Sequence, residues 1–357
     1  MREGWEYKKL NEVCDKSSSN IVINKLDDNN GDYPLFGASG LVRNVDFYHQ
    51  DKPYIGIVKD GAGVGRVNTY PAYSSLVGTM QYIFPKEECL LNYVKYFLIK
   101  LDLSHCVSGA TIPHIYFKDY GKELIPVPPL STQQSIVSEL DKINELIRLK
   151  KEQLKDYDNL AQSIFYEMFG DEKYERRKLK DIVKVKSGQV SPLEDPYCDM
   201  VHVGPANIES NTGRLINLKT AKEENLISGK YLFDSSMVLY SKIRPNLNKV
   251  TIADFEGICS ADMYPLIPSK SIDKKFLLFI LKQKEFLSYA IANSGRANIP
   301  KINREALLEY STILPPLSLQ LQFAERLALI EKQKEQISSI IKDLETLLAS
   351  RMQYWFD

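Results

Sequence analysis

Cationic and amide side chains gather around turns in the second half of the chain. Residues 240–249 read YSKIRPNLNK and carry Lys242, Arg244, Asn246, Asn248 and Lys249 around a proline. Residues 294–301 repeat this composition with Arg296, Asn298 and Lys301. Arg and Lys fit guanine O6 and N7 and phosphate oxygens, while Asn fits adenine N6 and N7. The two segments predict a surface that grips and reads DNA, and the alternative is that they are ordinary polar loops.

The first half of the chain has a thinner version of the same chemistry. Its candidate DNA contacts are Arg43, Lys59, Arg66, Thr111 and His114. Lys59 and Arg66 flank the glycine-rich segment 60–65 (DGAGVG). This segment does not fit a nucleotide-binding loop, because no Lys-Ser or Lys-Thr pair follows it and no helix pattern opens after it. It predicts a turn between strands whose flanking cations are free to meet a polyanion.

Catalytic chemistry finds little support in the sequence. The histidines, His49, His105, His114 and His202, have no metal-ligand spacing such as H-E-x-x-H, and there is no G-x-S-x-G elbow. No tetrapeptide resembles the N-P-P-Y that amino-methyltransferases use to hold an adenine. Residues 171–173 (DEK) look like a nuclease D-x-K fragment, but we interpret them as a solvated link. The sequence therefore predicts no catalytic residue and no bound metal.

Cysteine usage and hydropathy indicate a cytoplasmic protein. The five cysteines are scattered and never form a C-x-x-C pair, which disfavours both a disulfide framework and a zinc site. The longest strongly apolar run, residues 276–281, is far too short to span a bilayer. The first six residues, MREGWE, lack the apolar core of a secretory signal.

An internal repeat organises the chain. At an offset of 187, IPHI at 112–115 matches IPKI at 299–302, and PPLS at 128–131 matches PPLS at 315–318. This register holds for about 58 residues without a gap. Near their starts the copies match at an offset of 169, so the second copy is about 18 residues longer in its middle. Self-similarity of this kind predicts two tandem copies of one design.

A long helix is predicted at the end of each copy. Apolar residues recur there at alternating spacings of four and three over more than four heptads, which is typical of a coiled coil. The seam comprises Leu140, Ile143, Ile147, Leu154 and Tyr157 in the first helix and Leu327, Ile330, Ile337, Ile341 and Leu344 in the second. Pro128-Pro129 blocks helix upstream, and Ser131 with Gln134 predicts a capping box.

The two helices are expected to pair with each other. A lone helix with an apolar stripe would leave that stripe in water, so antiparallel pairing is favoured if a pseudo-twofold axis relates the copies, and pairing with another chain is the alternative. Each seam contains a lysine, Lys150 or Lys334, whose amine either reaches water from a packed stem or sets the register. Aromatic residues close the helices and could either dock a partner or pack on the seam: Phe165, Phe169, Trp355 and Phe356.

The fold class predicted from these patterns is α+β. Short β-type runs broken by Gly, Pro and Asn alternate with helical stretches in both globular parts. We predict globular domains at 1–127 and 172–314, and spacer helices at 128–171 and 315–357 that form an antiparallel coiled coil with an internal pseudo-twofold repeat.

The chain resembles the specificity subunit of Type I restriction-modification systems. The resemblance rests on two variable domains, each followed by a Pro-Pro-Leu-Ser-x-Gln entry into a long helix. Further segments look like the target recognition domains of that family: 33–40 (YPLFGASG), 59–65 (KDGAGVG), 239–245 (LYSKIRP) and 257–260 (GICS). The order and duplication of these segments carry the match, which covers essentially the whole chain.

This resemblance implies a non-catalytic DNA reader in a prokaryotic cytoplasm. Each target recognition domain would bind one half of a bipartite site in double-stranded DNA, and the helices would act as a spacer. The subunit would recruit two modification subunits and, in the full complex, restriction subunits. S-adenosylmethionine, ATP and Mg would bind those partners, which would carry adenine-N6 methylation and ATP-dependent cleavage. The alternatives are a scaffold without DNA reading and a stand-alone DNA methyltransferase or nuclease fragment.

The charge balance is compatible with a DNA reader, although 46 basic residues offset 46 acidic ones over the 357 residues. Residues 172–314 are net +5, whereas residues 1–127 are net −1 and the two helical segments are net −3 and −1. The overall neutrality is therefore an average over unlike segments. We expect the first domain to have little electrostatic grip of its own, so that tight binding depends on positive surface from partners.

Overall fold

The structure is a computed structural model that describes residues 2, 4–26, 29–109, 111–170, 174–295 and 298–357. It contains two compact units. Unit 1 consists of Met1–Leu154 with Gln336–Asp357, and unit 2 consists of Lys155–Glu335. Each unit thus combines one predicted globular domain with parts of both long helices. Among the described residues, no helix combines the length and the apolarity needed to cross a bilayer.

Unit 1 is built around a buried antiparallel sheet. Its elements up to the first long helix are β1 (Glu6–Lys9), α1 (Leu10–Val13), β2 (Cys14–Ser18), β3 (Tyr33–Gly37), β4 (Gly40–Val45), β5 (Tyr54–Val58), β6 (Val67–Tyr70), β7 (Ser75–Leu76), β8 (Met80–Pro85), α2 (Leu91–Leu101), α3 (Phe117–Tyr120), β9 (Leu124–Val127) and α4 (Leu130–Phe169). The main sheet has the order β2-β8-β5-β6, a second has the order β4-β3-β7, and β1 pairs with β9. The central strand β5 is apolar along its length and buried at every residue, as expected for a strand covered on both faces.

Unit 2 repeats this plan. Its elements after α4 are β10 (Arg176–Lys178), α5 (Leu179–Ile182), β11 (Val183–Val185), β12 (Gln189–Val190), β13 (Val201–Val203), β14 (Lys219–Thr220), β15 (Lys230–Phe233), β16 (Val238–Ser241), β17 (Val250–Thr251), β18 (Gly257–Cys259), β19 (Met263–Pro268), α6 (Lys274–Lys282), α7 (Lys284–Ala292), α8 (Arg304–Glu309), β20 (Ser311–Ile313) and α9 (Leu317–Phe356). The sheet β11-β19-β16-β17 corresponds to β2-β8-β5-β6, and the pair β10–β20 corresponds to β1–β9.

One sheet is larger in unit 2 than in unit 1. The parallel pair β13–β18 corresponds to the parallel pair β3–β7. In unit 2 this sheet has the order β12-β15-β18-β13-β14. Strand β15 pairs with β18, and β12 pairs with β15. Among the described residues of unit 1, the corresponding edge has only the isolated bridge between Gln50 and Ser74. The α+β fold class and the internal repeat predicted from the sequence are confirmed.

A buried glutamine fastens α4 to unit 1. The Gln133 side chain is fully buried. Its Oε1 accepts a hydrogen bond from the Leu90 backbone N–H at 2.9 Å, and its Nε2 donates to the carbonyls of Glu88 and Pro128 at 2.8 and 2.9 Å. One amide therefore satisfies three backbone groups where the segment before α2 meets the start of α4, groups that would be costly to bury unpaired.

Gln320 does the same for α9 in unit 2. Its Oε1 accepts from the Asp273 backbone N–H at 2.9 Å, and its Nε2 donates to the carbonyls of Ser271 and Pro315 at 3.0 and 2.7 Å. The glutamine that ends each Pro-Pro-Leu-Ser-x-Gln segment thus has the same structural role as Gln133 in unit 1. The repeated sequence motif encodes a repeated junction between a helix and its unit.

The capping box predicted at Ser131 is wrong. The backbone N–H groups of Thr132 and Gln133 donate to the Pro129 carbonyl at 2.9 and 3.0 Å, so Pro129 is the N-cap and Ser131 lies inside the first turn. Proline has no side-chain acceptor with which to cap a helix. The start of the helix is secured by the buried Gln133 amide instead.

The two long helices pair antiparallel within each unit. In unit 1, Glu139 of α4 binds Arg351 and accepts a hydrogen bond from Trp355 Nε1 at 3.0 Å. Further along α4, Lys151 Nζ lies 2.7 Å from Glu345 Oε1. Later residues of α4 therefore meet earlier residues of α9. This confirms antiparallel pairing of the helices within one chain.

Unit 2 shows the same sense of pairing. Lys334 Nζ lies 2.8 Å from Asp158 Oδ1 on α4, and the rings of Phe165 and Phe323 are 5.7 Å apart. Lys334 thus contacts the partner helix, as a residue that sets the register should. By contrast, Lys150 Nζ bonds Gln153 Oε1 on its own helix at 3.0 Å, so the two seam lysines act differently.

All of the predicted seam residues are buried or half-buried. Six are buried, namely Leu140, Ile143, Ile147, Ile330, Ile337 and Ile341. The other four are half-buried, namely Leu154, Tyr157, Leu327 and Leu344. The aromatic residues that close the helices pack into the units rather than presenting free docking anchors. Phe356 lies 5.2 Å from the ring of Tyr93 in unit 1, and Phe169 lies 5.5 Å from Phe323 in unit 2.

Replacing either junction glutamine should destabilise the protein. Gln133→Ala and Gln320→Ala each leave buried backbone groups unpaired, which costs about 1–3 kcal/mol of unfolding free energy. Denaturant unfolding followed by circular dichroism measures the change. The matched controls are Gln134→Ala and Gln322→Ala, because both neighbouring glutamines are exposed and should change stability by less than about 0.5 kcal/mol. Equal effects at buried and exposed positions would contradict the assigned role.

Candidate nucleic-acid interface

In unit 1 the glycine-rich loop lies against the segment 108–115. The loop joins β5 to β6, and its Gly61 N–H donates to the Pro113 carbonyl at 2.9 Å. The Ile115 N–H in turn donates to the Lys59 carbonyl at 2.9 Å. We call residues 59–66, 108–109 and 111–115 the unit 1 loop pair. It brings together four of the predicted contacts, Lys59, Arg66, Thr111 and His114.

The cations of the unit 1 loop pair are engaged with the protein itself. Lys59 Nζ lies 3.6 Å from Asp60 Oδ2. Arg66 is exposed, but its Nη1 donates to the Ala38 carbonyl at 2.7 Å. Both flanking cations therefore have a partner within the protein, and their contact with a polyanion stays a prediction. The segment 33–40 buttresses this loop through Ala38.

The other predicted contacts of unit 1 are spread further. Arg43 lies on β4, where it donates to the Leu26 carbonyl at 2.7 Å and to Asn30 Oδ1 at 2.9 Å. Thr111 is exposed, whereas His114 is half-buried and its ring lies 5.2 Å from that of Tyr116. Arg43 is thus bonded to the segment before β3, while Thr111 and His114 belong to the loop pair.

In unit 2 the loop between β16 and β17 lies against the segment 294–302. The Arg244 N–H donates to the Pro300 carbonyl at 2.7 Å, and the Ile302 N–H donates to the Lys242 carbonyl at 3.0 Å. We call residues 242–249, 294–295 and 298–302 the unit 2 loop pair. The two hydrogen bonds are the counterparts of those that join the unit 1 loop pair.

The two strand-connecting loops have residues with positive φ at two equivalent positions despite unlike sequences. Arg244 takes the place of Gly61, with φ of +47° against +84°, and Asn248 takes the place of Gly65, with φ of +47° against +85°. Glycine reaches this left-handed region without steric cost, and Asn tolerates it better than most residues. Arg has no such preference, so Arg244 is the unusual residue of the set.

Two lysines of the unit 2 loop are held by backbone carbonyls. Lys242 Nζ donates to the Ala261 carbonyl and lies 3.7 Å from Asp262 Oδ1. Lys249 Nζ donates to the Pro205 carbonyl at 2.6 Å. Both ammonium groups therefore brace the loop against neighbouring segments.

Asn248 is not available to a ligand. Its side chain is only 8% exposed, and its Nδ2 donates to the Lys282 carbonyl at 3.2 Å. The prediction that Asn248 contacts DNA is therefore wrong. An amide in a left-handed turn was a signal of loop structure here, because Asn can bond nearby backbone while tolerating the positive φ.

The remaining predicted contacts of unit 2 are exposed. Arg244, Asn246, Asn298 and Lys301 all lie on the surface of the loop pair. Within the described part of the chain, none of their side chains has a hydrogen-bond or ion-pair partner. Arg296 lies outside the described residues. Unit 2 therefore presents two uncommitted cations and two uncommitted amides on adjacent segments.

One neighbour of the unit 2 loop pair was missed by sequence reasoning. The Asn211 N–H donates to the Leu247 carbonyl at 3.2 Å, so the turn at 209–214 lies beside the loop. Arg214 in this turn is exposed and pairs with Glu209 Oε1 at 2.8 Å. Neither the repeat nor the cation spacing pointed to this turn, because the contact is made by backbone atoms.

Metal-ligand chemistry is weak in the described residues. The one group of three candidate ligands found there is Asp195, Cys198 and Asp199, whose ligand atoms lie within 4.8 Å of one another. The hydrogen bond from Cys198 Sγ to Asp195 Oδ1, 3.0 Å long, raises the pKa of the thiol. A thiol with a raised pKa is a poorer metal ligand at neutral pH, since the thiolate is the ligand.

His202 is buried beneath the turn that follows β14. Its Nδ1 lies 2.8 Å from Glu224 Oε2, and within the described residues its buried Nε2 has no hydrogen-bond partner. Burial lowers the pKa of His202, and the hydrogen bond to Glu224 only partly opposes this. His202 thus belongs to the packing of the enlarged sheet of unit 2.

A family model described as "Type I restriction modification DNA specificity domain" matches residues 2–156 and 171–346. The two matched ranges fall on the two copies of the repeat and together cover most of the chain. The chain belongs to this family. As a member of a type I specificity family it has a role in DNA sequence specificity, and this confirms the prediction of a non-catalytic specificity subunit.

Two curated relatives are similar to this specificity subunit over most of its length. The "Type I restriction enzyme EcoDI specificity subunit" of Escherichia coli is 26% identical over 369 aligned positions, which cover 90% of this chain and 80% of the relative. The "Type I restriction enzyme MjaVIII specificity subunit" of Methanocaldococcus jannaschii is 25% identical over 320 positions, covering 76% of this chain and 73% of the relative.

Solved structures support the fold assignment. The crystal structure of a type I restriction-modification S subunit from M. genitalium has a TM-score of 0.59 at 15% identity, covering 99% of this specificity subunit and 96% of the other chain. A chain from a study of complex assembly and conformational transition in the type I R-M system has a TM-score of 0.55 at 16% identity, covering 99% and 98%.

The stability of unit 2 should fall in mild acid because of His202. Its folded-state pKa lies below the ordinary value of 6.5, so the unfolded chain binds the proton more readily. The stability contributed by neutral His202 is then fully present above about pH 6.5 and is lost as pH falls through the folded pKa. We expect His202→Gln to flatten the dependence of unfolding free energy on pH between about 7 and 5. The exposed His105 provides the control, and an equal flattening in His105→Gln would contradict the assignment.

Proposed function

We propose that each unit of this specificity subunit reads one half of a bipartite site in double-stranded DNA through its loop pair. The observation that carries the proposal is the repetition of the loop pair. Two hydrogen bonds, from Gly61 to Pro113 and from Ile115 to Lys59 in unit 1, have direct counterparts in unit 2. The same pair of backbone hydrogen bonds thus joins loops with different side chains in the two units. Two different half-sites can be read only if the side chains that contact the bases differ.

The two units should differ in how much electrostatic attraction they contribute to DNA binding. Unit 2 presents the uncommitted Arg244 and Lys301 on a segment of net +5, whereas in unit 1 Lys59 and Arg66 are bonded to the protein within a segment of net −1. Phosphate neutralisation by Lys and Arg dominates the affinity of DNA-binding proteins. Unit 2 therefore supplies most of the electrostatic grip of this chain, and unit 1 depends on positive surface from partners.

The chain is proposed to act within a larger complex in a prokaryotic cytoplasm. Membership of the specificity family supports recruitment of two modification subunits and, in the full complex, restriction subunits. S-adenosylmethionine, ATP and Mg would bind those partners and not this chain. The long helices would act as the spacer between the two reading units.

Removal of this gene should abolish one split methylation motif. Methylome sequencing of the host with and without the gene measures this, and the gene restored on a plasmid is the control. The motif should have two specified parts separated by unspecified bases. An unchanged methylome in a host with active partner subunits would contradict the proposed function. S-adenosylmethionine binding or DNA cleavage by the purified chain would favour an enzyme, and failure to bind duplex with partners present would favour a scaffold.

A further inference from the structure

We propose that Arg244, assisted by Asn246, determines which base pair is read in the half-site of unit 2, and that the base pair contains guanine. This inference rests on the proposed function and adds a specificity-determining residue to it. The unit 2 loop pair contains four exposed candidates, and the observations below separate Arg244 from the others.

The backbone around Arg244 is fixed before any ligand arrives. The Arg244 N–H is bonded to the Pro300 carbonyl on the facing segment, and the Arg244 carbonyl accepts from the Leu247 N–H at 2.9 Å. The Asn248 N–H donates to the Pro245 carbonyl at 2.9 Å, which closes a short 3-10 turn over 245–247. The proline also removes backbone freedom next to Arg244. Because this backbone is already ordered, binding through the turn costs little backbone entropy.

The conformation of Arg244 is costly for an arginine. Its φ of +47° lies in the left-handed region, which costs a residue with a Cβ about 1–2 kcal/mol relative to a favoured conformation. The counterpart in unit 1 is Gly61, which adopts the region without that cost. Residues held in sparsely populated backbone regions cluster at functional sites. The backbone alone would be better served by glycine here, so the guanidinium is the reason for an arginine.

The guanidinium of Arg244 is also uncommitted, unlike the ammonium groups of Lys242 and Lys249 in the same loop. Lys242 and Lys249 are bonded to backbone carbonyls, and so is Arg66 in unit 1. Among the described residues, the Arg244 side chain is exposed and has no such partner. Lys301 on the facing segment shares this freedom. Among the described residues of the loop pair, these two cations are therefore the ones free to contact DNA.

Their chemistry divides the roles between them. The planar guanidinium donates two parallel hydrogen bonds, which fit O6 and N7 of guanine on the major-groove edge. The ammonium of Lys301 is a compact point charge that suits a phosphate. Asn246 lies two residues from Arg244 in the same turn, and its amide can bond an adjacent base edge. The loop pair thus combines a base-reading turn with a phosphate-binding neighbour.

The test uses the full chain assembled with its modification subunits. The motif is first taken from the methylome, and methylation rates are then measured on duplexes that carry the motif or each single-base variant of it. Arg244→Gly is the informative variant, because the glycine in the equivalent position of unit 1 shows that this backbone accepts it. Arg177→Ala is the matched control, since Arg177 is exposed on β10 and pairs with Glu175 at 2.9 Å.

Arg244→Gly should relax one G·C position in one half-site. The ratio of the methylation rate on the motif to the rate on duplexes with another base pair at that position should fall by roughly 10- to 100-fold. The sequence preference in the other half-site should not change. Lys301→Ala should instead weaken methylation of all duplexes alike and make it less salt-dependent. Thermal unfolding should show that Arg244→Gly is at least as stable as the parent chain.

Three results would overturn the inference. Unchanged discrimination in Arg244→Gly would exclude a reading role, and a uniform loss with a shallower salt dependence would assign Arg244 to phosphate. Relaxation at a position without guanine would show that the base assignment is wrong. If the parent assembly methylates no split motif at all, the proposed function itself fails, and that outcome is distinct from the other three.

Discussion

The apolar core of each unit is completed by residues from the end of a long helix. The core cluster of unit 1 includes Met352 and Phe356 from α9, and that of unit 2 includes Phe169 from α4 and Phe323 from α9. A helix with an apolar stripe is marginal alone and gains its stability from packing. The units and the helices therefore stabilise each other. The two loop pairs depend on this arrangement, because the sheets that carry them rest on the same cores.

Because each core needs residues from a long helix, the two units repeat the same plan at two structural scales. At the larger scale, the strand order of the main sheet and the buried glutamine at the helix start recur in both units. At the smaller scale, the same pair of backbone hydrogen bonds joins the loops that carry the candidate DNA contacts. Structure common to both units is thus encoded by backbone groups and buried amides. The units differ in the size of one sheet and in exposed side chains such as that of Arg244, whose counterpart in unit 1 is Gly61.

Periodicity and repetition made the helices and the two-copy design predictable, because seam residues such as Leu140 and Ile337 recur at fixed spacing in the sequence. The loops were less predictable. Gly61 and Arg244 both have positive φ, but one is a glycine and the other an arginine. Only the backbone hydrogen bonds show that the two positions correspond. Asn248 looked like a DNA contact because amide composition does not distinguish a side chain that braces a turn from one that faces solvent. Ser131 looked like a helix cap because the role of the Gln133 amide depends on groups far away in the chain.

The cores also differ in when they can form during synthesis on the ribosome. Unit 2 is one continuous stretch, Lys155–Glu335, whereas unit 1 joins Met1–Leu154 to Gln336–Asp357. A growing chain therefore emerges with every residue of unit 2 available before Met352 and Phe356 exist. Contacts between residues so far apart in sequence form slowly. The first half of the chain to be translated is thus the second to finish its core, and its unfinished apolar surface stays exposed until the last turns of α9 arrive.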